Sequence, residues 1–97
     1  MGNKIRVIVL NEKDNVATAL ERLSVGSTVS VEVRGLVEKI KLISDIPMGH
    51  KFALWDIEEG AAVIKYGEPI GRSAAKISRG EHVHVHNVAS QPGGGAR

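Results

Sequence analysis

The chain has 97 residues, 42% of them apolar but with only one Trp, one Tyr and one Phe, and a formal charge of +2. That size holds one small domain with a core of Val, Ile, Leu and Ala, and the charge, with no Lys/Arg run or interleaved aromatics, argues against nucleic acid as a partner. No apolar stretch nears the ~20 residues that cross a membrane; the short run at 7–10 is no secretory signal, and zero cysteines remove disulfides and thiolate ligands, a pattern compatible with the cytoplasm.

Residues 5–10 are apolar and β-branched and predict a strand, broken by Asn11-Glu12-Lys13-Asp14. Asp14 or Asn15 is then a helix N-cap candidate. Val16, Leu20 and Leu23 follow at i, i+4 and i+7, which predicts a short helix over 15–24 ended by Gly26. Residues 28–33 alternate apolar and polar and predict a strand; Gly35 turns the chain into a partner strand over 36–43. Pro47 and Gly49 make 45–51 a tight turn. Strands are expected at 52–55 and 63–66, with turns at 56–60 and 68–71. Ile57-Glu58-Glu59-Gly60 and Ile77-Ser78-Arg79-Gly80 share the form Ile-x-x-Gly and are taken as equivalent turns. Frequent glycines argue for many short strands folded over one another. The domain is expected over 1–90, with 91–97, which have nothing to bury, as a mobile tail.

Three of the four histidines lie in Glu81-His82-Val83-His84-Val85-His86-Asn87. Strict alternation with valine predicts a half-buried strand. On a strand His82, His84 and His86 leave one face and Val83 and Val85 the other. Neighbours two apart are roughly 6.5–7 Å from Cα to Cα, within reach of one metal ion or one anionic group. The same pattern also suits a solvated sheet face, so the spacing alone leaves both readings open.

Four phrases in order carry a family resemblance: Asp14-Asn15-Val16-Ala17-Thr18-Ala19-Leu20, Ile46-Pro47-Met48-Gly49-His50-Lys51-Phe52-Ala53-Leu54, Val63-Ile64-Lys65-Tyr66-Gly67-Glu68-Pro69-Ile70-Gly71-Arg72, and Gly80-Glu81-His82-Val83-His84-Val85-His86-Asn87. Together they resemble the amino-terminal SAF domain of the altronate/galactarate dehydratases. The resemblance implies a mainly β (α+β) fold, a SAF-type β-clip with several short strands and one short helix. The family's large catalytic domain is absent from this sequence, and the small subunit of sulfolactate sulfo-lyase is a similar chain. The resemblance therefore implies a small subunit, or a domain, of a lyase that eliminates a group β to a carboxylate. Its partners would be a larger catalytic subunit and a small acidic sugar. A stand-alone module binding an acidic sugar or a protein is the non-catalytic alternative.

Such an elimination needs a base, an acid for the leaving oxygen, and positive charge on the developing enediolate. Under this resemblance His84 and His86 are the candidate catalytic residues. His50, Lys51, Arg72 and Asn87 are candidates for substrate binding, and His82, His84 and His86 for metal. A divalent metal (iron, manganese or magnesium) is expected in the assembled enzyme and none in the isolated chain.

Overall fold

The computed structural model describes residues 6–89. Its strands are β1 (Val7–Ile8), β2 (Val16–Ala19), β3 (Thr28–Val33), β4 (Leu36–Lys41), β5 (Lys51–Ala53), β6 (Ala62–Lys65), β7 (Glu68–Ser73), β8 (His82–Val83) and β9 (Val88–Ala89). They form an antiparallel sheet in the order β1-β2-β5-β8, a β3-β4 hairpin, and a three-stranded sheet β6-β7-β9. The mainly β expectation holds. The expected tail at 91–97 lies outside the described residues.

The expected helix over 15–24 is not formed: its first half is β2, the inner strand between β1 and β5. Val16, Ala17 and Ala19 are buried, so both faces of the strand are covered. A strand covered on both sides is continuously apolar, and such a run matches helical spacing by accident. Leu20, the middle of the supposed helical stripe, is 45% exposed. Asp14 caps no helix. Its carboxylate is buried and accepts from the backbone N–H of Gly67 (2.8 Å) and of Asn11 (3.2 Å).

Residues 68–71, expected as a turn, are the first part of β7. The turn lies one step earlier, at Tyr66 (φ 58°) and Gly67 (φ 77°). Two consecutive positive φ values make the two-residue connection whose twist suits a hairpin. Arg34 and Gly35 (φ 54° and 80°) do the same between β3 and β4. Pro69 is tolerated because it sits opposite Ile64, where the β6-β7 register shifts.

The two Ile-x-x-Gly turns belong to a set of four. Leu23-Ser24-Val25-Gly26 pairs with Ile46-Pro47-Met48-Gly49 through a Leu23–Ile46 bridge, and 57–60 pairs with 77–80 through an Ile57–Ile77 bridge. Each glycine has φ between 84° and 90°. Each pair flanks one hairpin, β3-β4 or β6-β7. The domain is thus two similar halves, each a strand, a turn, a hairpin and a second turn. β5 joins two cores. Phe52 packs with Ala17, Leu23 and Ile46, whereas Ala53 packs with Val16, Ile57, Ile77 and Val83. Burial of each larger side chain among these is worth about 1.5–3 kcal/mol, so the β5-β8 pair is held firmly from both faces.

Candidate functional site

The second and fourth turns deliver the chain into β5 and β8. His50 follows Gly49; its N–H donates to Pro47 O (3.0 Å) and its carbonyl accepts from Ala19 N–H (2.8 Å). β5 and β8 are antiparallel with Phe52 opposite His82 and Lys51 opposite Val83. One further step of that register sets His50 opposite His84. The start of β5 and the end of β8 therefore meet at one edge of the sheet.

The strand expected over 81–87 stops at Val83. His84 to Asn87 is a turn, closed by Asn87 N–H donating to His84 O (3.1 Å). The side chain of Asn87 replaces the missing ladder: Oδ1 accepts from His84 N–H (2.9 Å) and Nδ2 donates to His82 O (2.9 Å). Alternation accordingly fails after Val83, which is buried, whereas Val85 is 82% exposed. A buried amide that satisfies two backbone groups can end a strand at no net loss of hydrogen bonds.

This turn gathers the imidazoles. The rings of His50 and His84 stack with centroids 4.0 Å apart and planes 15° apart. His82 lies 5.1 Å from His50 and 5.4 Å from His84, again nearly parallel. His50 Nδ1 and His82 Nε2 are 2.8 Å apart, a hydrogen bond in which one ring carries the proton. His86 stands beside His82 at 5.2 Å, tilted by 35°. One nitrogen from each of His50, His82 and His84 lies within 4.8 Å of the other two, and no carboxylate belongs to that group.

Lys51 shares a small pocket, about 130 Å³, with Ile70, His84, Val85 and Val88. Partial burial, and then the neighbouring Lys65 charge, hold its ammonium below the usual lysine value. His82 is lowered by burial first, then by His50, His86, His84 and Lys51. His84 is lowered by desolvation, then by His50, Lys51 and His86. Every perturbing charge here is of one sign. The neutral imidazoles near pH 7 are potential ligands and proton acceptors, and the cluster as a whole favours an anion.

The candidate residues thus fall into two groups. His50, Lys51, His82, His84 and His86 come together at the β5-β8 edge. Asn87 is buried beneath them and spends its amide on the backbone of the turn. Arg72 lies on β7, where its guanidinium donates to Gly60 O (2.9 Å). By sequence His50 falls with the substrate-binding candidates and the heptad with the metal candidates; the fold joins them. The equivalence of the turns ending at Gly49 and Gly80 is the signal in the sequence that His50 and the heptad enter neighbouring strands.

Comparison with known proteins gives this geometry a context. The altronate/galactarate dehydratase SAF domain matches residues 5–91. Altronate dehydratase of Escherichia coli is 48% identical over 84 residues, which are 87% of this chain and 16% of that protein. Altronate dehydratase of Bacillus subtilis is 41% identical over 86 residues, again 16% of its length. The (2R)-sulfolactate sulfo-lyase subunit alpha of Chromohalobacter salexigens is 54% identical over 46 residues, 47% of this chain and 49% of that one. The chain therefore spans about a sixth of the dehydratases it matches. With the match running through both halves and the histidine turn, the chain belongs to the altronate/galactarate dehydratase SAF domain family.

Proposed function

We propose that this chain is the small, non-autonomous component of an altronate/galactarate dehydratase-type hydro-lyase. One observation carries this reading: four histidines and Lys51 converge at one open sheet edge with no acidic partner in the metal-spaced group. An edge of this kind attracts a carboxylate but has too little wall to exclude water, so a larger chain would have to close it. In a 2,3-dihydroxy acid, elimination moves the α-proton to a base and gives a proton to the departing β-hydroxyl. Lys51 would hold the carboxylate. His84 and His86 are the groups able to move protons near neutral pH. A divalent metal bound in the assembled enzyme would supply positive charge to the enediolate.

The test is co-expression with a large dehydratase chain from the same genome, followed by pull-down and an elimination assay. Altronate or galactarate should be dehydrated only when both chains are present. Turnover by the isolated chain, or full activity of the large chain alone, would overturn the proposal. The sulfo-lyase reading has one specific support: the subunit alpha of that enzyme is 54% identical over the 46 matched residues. Sulfite release from sulfolactate, without dehydration of either sugar acid, would select it.

A further inference from the structure

We infer that His50, His82 and His84 form a binding site for one transition-metal ion, complete within this chain. All three donors belong to this chain, so the site does not depend on which lyase it serves. Metal–nitrogen bonds of ~2.0–2.1 Å in a tetrahedron place ligand nitrogens about 3.3 Å apart. Here one pair is already at 2.8 Å, and all three donors lie within 4.8 Å of one another. The backbone carrying them is fixed. β5 and β8 are paired through Phe52–His82, and the turn holding His84 is pinned by Asn87. The rings are nearly parallel, at 12–16°, so their lone pairs do not yet point to one centre. Convergence would require the rings to rotate, and the ion would replace the proton that His50 and His82 share. Asn87 then acts on the site from outside it, as the brace that sets where His84 starts its turn.

The donor set selects the ion. Three neutral imidazoles and no carboxylate suit Zn²⁺, Fe²⁺, Co²⁺ or Ni²⁺, whereas Mg²⁺ requires oxygen ligands. Three protein ligands leave a fourth position open, and His84, one of the three, also lines the pocket of Lys51, Val85 and Val88. A ligand has committed its lone pair, so this assignment leaves proton transfer to His86, the imidazole outside the group. Lys51 is the nearby group that opposes a cation, and removing its charge should tighten the site.

The test uses the untagged chain, calorimetric titration with Zn²⁺ and Co²⁺, metal content by mass spectrometry, and the visible spectrum of the Co²⁺ form. One ion per chain is expected, with the intense bands of a four-coordinate Co²⁺ centre. His50→Gln, His82→Gln and His84→Gln should each weaken binding by no less than the ~10–100-fold that outer-shell partners cost. His86→Gln should leave affinity unchanged, Lys51→Met should raise it, and Mg²⁺ should not compete. Melting curves establish that each variant is folded. A folded wild-type chain that holds no stoichiometric ion overturns the inference. So does a His86→Gln variant as weak as His50→Gln, or competition by Mg²⁺ at equal concentration.

Discussion

Asn87→Ala isolates what positions the cluster. The substitution removes two hydrogen bonds, Oδ1 from His84 N–H and Nδ2 to His82 O, both 2.9 Å, from a buried residue. Each backbone group left without a partner costs about 1–1.5 kcal/mol, so the sum is roughly 2–3 kcal/mol. For a domain of this size 1 kcal/mol shifts Tm by about 4–8 °C. A drop of about 10–20 °C is therefore expected. Asn87→Asp keeps the acceptor for His84 N–H and loses the donor to His82 O, so it should fall between wild type and Ala. The second readout is the imidazole ring resonances. With the brace gone, His84 and His86 should lose the shifts that ring stacking imposes, whereas Trp55 should keep its own. A melting temperature within 2–3 °C of wild type (roughly half a kcal/mol), together with unchanged imidazole resonances, would refute the idea that Asn87 builds the turn.

Three further outcomes are expected from the same geometry. Gly80 and Gly60 both have φ +84°, but a Cβ on Gly80 would clash with the carbonyl oxygen of Lys41 while one on Gly60 meets nothing within 4 Å. Gly60→Ala should cost only the ~1–2 kcal/mol of left-handed backbone, and Gly80→Ala distinctly more, as compared by urea midpoints. Equal midpoints would contradict the packing at Gly80. Between their lowered values and the ordinary 6.5, His82 and His84 bind protons less in the folded chain than in the unfolded one. Stability should therefore rise with pH through that window, level off above it, and be lost as pH falls; urea midpoints at pH 5 and 7.5 check the sign, and His82→Gln should flatten the slope. Asn15 donates from Nδ2 to Ala62 O (2.9 Å) and accepts at Oδ1 from Ile64 N–H (2.8 Å). Asn15→Ala should cost about 2–3 kcal/mol and speed amide exchange in β6 before β3; exchange that rises evenly across the chain would argue against a local role.

Much of the β architecture is legible in the sequence because its signals are local. Alternation at 28–33 and glycine at 35 specify a hairpin without reference to the rest of the chain. The stretch at 16–19 misleads because its two faces enter different cores, Ala17 and Ala19 with Leu23 and Phe52, Val16 with Ala53 and Ile57, which periodicity does not reveal. The heptad misleads differently. Alternation predicts a strand only while the ladder has a partner, and β5 offers none beyond Lys51. What ends the strand is one side chain, Asn87, whose role depends on where its amide lands. The gathering of imidazoles is legible as composition, but the membership of the group is not. His50 is 32 residues from His82 in sequence and meets it only through strand pairing.

The repeated architecture explains why the cluster sits where it does. Each half ends in a Φ-x-x-Gly turn, and each such turn launches a strand into the same sheet. Because β5 and β8 run antiparallel, the residue entering one is adjacent to the residue leaving the other. A histidine just after Gly49 and one just past Val83 must therefore meet, whatever the loops between them do. The ladder ends one step short of them at Lys51–Val83, Asn87 holds the backbone of His84, and the edge keeps the rings accessible. Such a site can hold an anion or an ion in place, but it presents them on an open rim. The halves supply placement; under the proposed function, enclosure would come from the larger catalytic part.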